Sequence, residues 1–237
     1  MIVVLKSIGI FDNIKTFLVQ FLILPFFSVL FFFLLGNTYL TANQNSSYNT
    51  IMVTIFITAM IIIITSMTRS FITELSSKIF AQEIILNPFS GYYWINKCLV
   101  GMIVGLFSIF FNLIPFYIIF HLDIQNIRAF IISAILCVFT GIVFGVLSIA
   151  ISMGTNNPFL FSNFIGSYGL LFTGIYFSTN LYPSVLKIVS RLLPFSYIAD
   201  FYRSNNIVYF YWSIIIDFLY LILFVFIYKV NLKRLKK

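Results

Sequence analysis

The chain has 237 residues, 61% of them hydrophobic and 8% charged, against roughly 25% charged in soluble domains. So few charges cannot cover a water-facing surface, which excludes a soluble globular protein and points to an all-α protein embedded in lipid. The net charge of +8 does not call for nucleic acid, because Lys229, Lys233, Arg234, Lys236 and Lys237 follow an apolar run directly, the pattern of a cytoplasmic anchor on anionic headgroups.

A membrane crossing needs about 20 mostly apolar residues. Six segments qualify: 16–36, 51–67, 98–120, 129–153, 159–177 and 207–228. Ahead of the first, Ile2-Val3-Val4-Leu5 and Ile8, Ile10 and Phe11 are interrupted by Lys6 and Asp12, too short to cross, and can lie along the membrane. The first span carries Pro25 near its middle and ends at Gly36. It exceeds a signal-peptide core, and no small-residue cleavage site follows it. Residues 37–50, rich in Asn, Ser and Thr, read as a short solvated loop. The sequon Asn45-Ser46-Ser47 within it is a three-residue match of little weight.

The connection after the second span, residues 68–97, is more informative. Ile72, Leu75, Ile79 and Leu86 recur at helical spacing, while Glu74, Ser77, Lys78 and Glu83 can face elsewhere. Residues 71–86 therefore predict a short amphipathic helix at the inner membrane face, ended by Asn87-Pro88. That periodicity suits a docking helix for a cytoplasmic partner and a plain interfacial connector equally well. Cys98 and Cys137 read as small packing residues, not disulfide partners. Gly101-x-x-x-Gly105 and Gly141-x-x-x-Gly145 mark seams where helix backbones approach closely. His121 and Asp123 share a short loop with no third ligand, so no metal site is read there. Gly154-Thr155-Asn156-Asn157-Pro158 is a tight turn into the fifth span.

The stretch before the last span is too apolar for a solvated loop. Tyr182-Pro183, Val185, Ile188, Val189 and Leu192-Leu193-Pro194-Phe195, with Lys187 and Arg191 among them, predict two short helices re-entering the outer leaflet. Asp217 lies near the middle of the last span, where a charge costs about 2.5–3.5 kcal/mol. It is either a translocation or subunit-interface residue, or a carboxyl hydrogen-bonded between helices. The positive-inside rule sets the orientation. The inner side then holds Lys6, Lys15, Arg69, Lys78, Lys97 and the five tail cations, and the outer side only Arg128, Lys187, Arg191 and Arg203. Both termini are expected in the cytoplasm, with residues 1–237 forming a single transmembrane domain.

Gly174-Ile175-Tyr176-Phe177, Leu181-Tyr182-Pro183, Leu193-Pro194-Phe195-Ser196-Tyr197 and Arg203 together resemble the C-terminal signature of type-2 ABC exporter permeases. That signature reads "G-x-x-F/Y … P", then "N/L-P-x-[ST]-[YH]" and an Arg before the last span. Asn87-Pro88-Phe89-Ser90 through Lys97 is similar to the family's "S-P-[VL]-S … G-K" after its coupling helix, and Pro25 and Gly36 fit its first span. The chain departs where the family often has "R-E-x-G-T-x-E": it reads Ser77-Lys78-Ile79-Phe80-Ala81-Gln82-Glu83, without the Gly-Thr pair and with the acid displaced.

The resemblance implies the membrane subunit of an exporter, paired with a second permease subunit, identical or related, and with two separate ABC ATPase subunits. It implies that Ile72, Glu74, Leu75, Ile79, Glu83, Leu86 and Pro88 belong to the ATPase-coupling segment. ATP and magnesium are then expected on the partner, since no G-x-x-x-x-G-K-[ST] phosphate loop occurs in the sequence. No metal, nucleic acid or resident cofactor is expected in the chain. By analogy the cargo is a hydrophobic or amphipathic peptide or drug.

One histidine leaves no Ser-His-Asp or Cys-His arrangement to assemble, so the chain reads as non-enzymatic. Rival classes are an ATP-independent secondary transporter or channel subunit, and a membrane immunity or assembly factor. Secondary transporters usually show inverted repeats and broken mid-membrane helices, and neither is visible in this sequence. The Ile-, Phe-, Asn- and Tyr-heavy usage suggests an AT-rich bacterial genome and hence a plasma membrane.

Overall fold

The computed structural model describes residues 15, 18–39, 44–77, 87, 89–120, 126–175, 179 and 182–235. Among them regular structure is helical throughout. The first helix opens with one wide turn, Val19–Ile23, that passes into α1 (Leu24–Tyr39). Pro25 accounts for the widening: it has no N–H, and its ring crowds the carbonyl of residue 21, so an ordinary rung cannot form there. Then come α2 (Gln44–Ser76), α3 (Gly91–Phe120), α4 (Ile127–Ser152), α5 (Leu160–Phe172), α6 (Ser184–Leu192), α7 (Pro194–Ser204) and α8 (Ile207–Leu235).

Asparagines punctuate the ends. Asn126 caps α4 by accepting from the Ala129 N–H at 3.0 Å. Asn205, in the left-handed region at φ 52, closes α7, and Asn206 accepts from the Val208 N–H at 3.0 Å to start α8.

Among the described residues four helices are long and apolar enough to cross a bilayer: Tyr48–Ser76, Gly91–Ile119, Ile127–Ser152 and Ile207–Lys233. Four of the six apolar segments of the sequence thus coincide with these helices, and the described residues of the other two form α1 with its wide opening turn, and α5. With 13 residues, α5 rises roughly 20 Å, short of the ~30 Å hydrocarbon core. Gly174, at φ 72, turns the chain just past its end, inside the run that hydropathy extends to residue 177.

Two other expectations shift. The loop read at 37–50 is largely helix, because α1 runs to Tyr39 and α2 begins at Gln44; Asn, Ser and Thr suit helix starts as well as loops. The amphipathic helix read at 71–86 begins as the unbroken last turns of α2. Residues 78–86 and 88 lie outside the described residues, and with them Ile79, Glu83, Leu86 and Pro88, as do the N-terminal stretch to residue 14, His121 and Asp123.

α2 is the central column, packed against α4, α3 and α1, and most of its side chains from Thr50 to Ser70 are buried. Its register with α4 advances in step. Cys137 donates to the Phe56 carbonyl at 2.9 Å, Ile63 faces Gly141, and the Thr68 and Ser148 hydroxyls meet at 2.7 Å. The two helices are therefore parallel. α8 is parallel to α4 as well, since Thr140 meets Asp217 and Ala150 meets Asn231. α3 runs the other way: Gly105 faces Ile63, and Gly101 faces Met67.

Both glycine motifs converge on the same α2 side chains. A Cβ at Gly105 would stand 2.6 Å from Ile63 Cδ1, and one at Gly141 2.7 Å from the same atom. The C-terminal ends of α2, α4 and α8 and the start of α3 share one end of the bundle, which carries Arg69, Lys97, Lys229 and Lys233. Apolar side chains of α3 and α8, such as Ile95, Phe110, Leu219 and Phe226, point outward.

Candidate functional site

At that basic end α2 and α3 are tied by a buried polar cluster. Ser70 and Glu74 stand one turn apart on α2, and Tyr93 and Lys97 one turn apart on α3, so each pair shares a helix face. Lys97 Nζ lies 2.6 Å from Glu74 Oε1 and donates to Ser70 Oγ at 2.6 Å, while the Tyr93 hydroxyl donates to Glu74 Oε2 at 2.9 Å. Lys97 is 1% exposed, so it is not the headgroup-facing cation that a count of inner charges suggests. Glu74, from the segment the resemblance assigns to ATPase coupling, is turned inward into this cluster. Ile72 is partly buried and Leu75 exposed.

Aromatic contacts bring α8 to the same place. Trp94 packs edge-on against Phe224 and Tyr228, with centroids 5.0 and 5.2 Å away, and Phe89 meets Tyr228 at 5.5 Å. Asn231 of α8 donates to the Ala150 carbonyl at 2.8 Å, capping α4. The flanks of the connection between α2 and α3 are thus fastened to the bundle on both sides.

The described residues of the C-terminal signature gather at the opposite end. The α6–α7 hairpin matches the two short helices expected there. Gly174 turns the chain beyond α5 and leaves carbonyls without helical partners. Arg203 supplies them: its Nη1 donates to the Gly174 carbonyl at 2.5 Å, and its Nη2 to that of Ile175. Burial works to lower the Arg203 pKa, and the neighbouring Asp200 opposes this. Asp200 is itself buried, 3.1 Å from Arg191 Nη2, and accepts from the Thr179 hydroxyl at 2.7 Å. Arg191 lies over the rings of Tyr197 and Tyr209, 4.8 and 5.3 Å from their centroids. In the sequence Arg203 stands out as a motif position and an outer-side cation, and Asp200 carries no expected role. Asp200 lies three residues before Arg203, and an acid among basic residues in an apolar stretch was the signal available.

Asp217 sits fully buried between α4 and α8, where its Oδ2 accepts from the Thr140 hydroxyl at 2.6 Å. Its Oδ1 has no hydrogen-bond partner among the described residues.

A cleft of about 320 Å³ opens on the flank of the central column. Pro25 and Ser28 of α1, Thr58, Thr65 and Arg69 of α2, and Leu170 of α5 line it. Thr58, Thr65 and Arg69 recur at helical spacing along one stripe of α2. The hydroxyls of Ser28, Thr58 and Thr65 donate to carbonyls of their own helices at 2.9 Å. Hydropathy does not announce this cleft, because residues 51–67 read as one apolar run and only packing decides which stripe of it is left uncovered.

A family model described as "ABC-2 type transporter" matches residues 10–207 of the chain, from ahead of α1 to the first residue of α8. No curated protein and no solved structure matches it.

Proposed function

We propose, from the premise that this chain belongs to the ABC-2 type transporter family and is a membrane permease component, that it exports hydrophobic or amphipathic cargo, peptide or drug, at the expense of ATP hydrolysed by a separate subunit. The observation that carries the reading is the buried Glu74–Lys97 pair at the base of the α2–α3 connection. A segment that receives force from a partner must be fastened to the helices it is to move, and this pair fastens it to two of them at once.

In this reading the connection is the coupling segment. Ile79, Leu86 and their neighbours meet the ATPase, and Glu74 and Lys97 carry the displacement into α2 and α3. The parallel arrangement of α2, α4 and α8 gathers basic residues at one end and supports a cytoplasmic location for that end and for both termini in a plasma membrane. A second permease subunit, identical or related, completes the transporter, and ATP and magnesium stay with the ATPase. The cleft along α2 supplies an apolar wall with scattered hydroxyls, suited to amphipathic cargo.

The test is gentle purification of the tagged chain with identification of co-purifying proteins, repeated with Ile79→Asp and Leu86→Asp. An ABC-type ATPase recovered with the normal chain and lost with the double variant supports the reading. Recovery of other complexes but no such ATPase removes it in favour of ATP-independent transport.

A further inference from the structure

Asp217 lies ten residues into α8, roughly 15 Å from its start, and its two oxygens have different surroundings. Oδ2 accepts from the Thr140 hydroxyl at 2.6 Å, while Oδ1, equally buried, meets no hydrogen-bond partner among the described residues. The seam between α4 and α8 carries two more atoms of this kind. Ser213 stands four residues before Asp217, and Ser133 seven residues before Thr140, so each shares a helix face with the residue it precedes. Both serines are fully buried, and neither hydroxyl finds a partner among the described residues. At 1.5 Å per residue they lie roughly 6 and 10 Å from the level of Asp217, both toward the end of the bundle opposite Lys97.

Among the described residues no cation pairs with Asp217, because the charged and titratable groups of the neighbouring elements are placed elsewhere. On α4, Arg128 is exposed twelve residues before Thr140, and Cys137 is turned to the Phe56 carbonyl of α2. On α7, Asp200 pairs with Arg191, Arg203 holds the carbonyls beyond α5, and Tyr202 packs edge-on against Phe56. Tyr197 and Tyr209 lie under Arg191. Tyr220, three residues past Asp217, donates to the Leu192 carbonyl at 3.2 Å, and Lys229 stands twelve residues beyond. On α3, Lys97 and Tyr93 are bound to Glu74.

A carboxylate without a cation at this depth is costly, and an orphan oxygen adds to the cost. A proton on Oδ1 removes both, since the charge disappears and the oxygen becomes a donor. Ser213 Oγ, one turn back on the same face, has lone pairs to accept it, and a single water hydrogen-bonded at both ends spans about one turn. A metal cation would also meet the charge, but hard cations take about six oxygen ligands, and the seam offers Oδ1 and two hydroxyls.

We propose that Asp217 is a proton-binding site, taking a proton on Oδ1 and exchanging it with water beyond the end opposite Lys97 by way of Ser213 and Ser133. One proton from water adds to a carboxylate oxygen, forming one O–H bond and leaving the seam neutral. Release reverses the step, and no other reactant takes part. The inference goes beyond the permease reading, and its test needs no ATP, ATPase or cargo, so either can fail alone.

The full chain in nanodiscs is followed by infrared spectroscopy. The C=O band of a protonated carboxylic acid is expected, absent in Asp217→Asn and retained at a shifted frequency in Asp217→Glu. Thr140→Val, which removes the donor to Oδ2, should move that band to higher frequency, a change that a merely structural aspartate does not give. In heavy water the band shifts as the proton exchanges. Exchange should be about tenfold slower when Ser133→Ala and Ser213→Ala are combined, the effect of about one hydrogen bond lost from the route.

No acid band lost in Asp217→Asn, at any pH where the chain stays folded, overturns the proposal. So does a sodium-dependent carboxylate band lost in that variant, which makes the occupant a cation. Exchange unchanged in the double serine variant overturns the route through the seam. Should Asp217→Asn fail to fold, Thr140→Val decides, and a spectrum unmoved by it counts against the site.

Discussion

Lys97 Nζ and Glu74 Oε1 lie 2.6 Å apart across the last turns of α2 and the first of α3, out of reach of solvent. Removing one partner strands a buried charge, which costs about 3–5 kcal/mol, whereas replacing both by apolar residues of similar volume is often neutral or better. Lys97→Met should therefore lower the unfolding temperature strongly, and Glu74→Leu with Lys97→Met should recover most of the loss. Trp94 fluorescence, beside the pair, follows it during thermal unfolding. If transport stays impaired in the stable double variant, the pair serves coupling beyond stability; equal destabilisation by single and double changes would show that the pair does not carry this end.

Ile63 is held from two sides, by Gly105 of α3 and Gly141 of α4. Yielding to a methyl group on one side drives it toward the other, so the overpacking has no easy relief. Gly105→Ala and Gly141→Ala should each destabilise the protein by about 1–3 kcal/mol. Adding Ile63→Ala should restore much of that loss, at the expense of a cavity of its own. Denaturation of the four variants in one detergent measures it, and no rescue by Ile63→Ala would place the strain elsewhere.

The Arg203 fork reaches two carbonyls beyond α5. Lysine offers a single point charge and cannot serve both with the same geometry. Arg203→Lys should leave the chain folded, yet raise hydrogen exchange around residues 170–175 while leaving α2 unchanged. Unaltered exchange there would mean that the turn holds without the guanidinium.

Asp217 accepts from Thr140 inside the bundle. An asparagine keeps an oxygen in the same position and no charge, so Asp217→Asn should express at the normal level with stability within about 1 kcal/mol of the parent. Export should nonetheless change, and Thr140→Val should change it in the same direction. Export unaltered by Asp217→Asn confines the residue to packing between α4 and α8.

Much of the scaffold is legible from single residues. Pro25 marks the wide turn before α1, Gly174 the turn beyond α5, Pro183 and Pro194 the two short helices, and 154–158 the turn between α4 and α5. The site was less legible. Glu74 and Lys97 sit 23 positions apart, and nothing in helical periodicity distinguishes an acid facing a partner protein from one facing a lysine on the next helix. Asp200 was hidden for the same reason: the hydroxyl it accepts from, Thr179, stands 21 positions away.

The amino-acid sequence alone determined that the chain lives in lipid, where its apolar runs fall, where they are interrupted and which ends gather positive charge, because those follow from hydropathy and local backbone chemistry. The tertiary structure alone decided that α2 is central while α3 and α8 turn apolar faces outward, which charges pair, and where a cleft remains. The physical reason is that lipid tails are as apolar as a protein core. A side chain chosen for one environment is equally suited to the other, and only the packing of helices tells them apart.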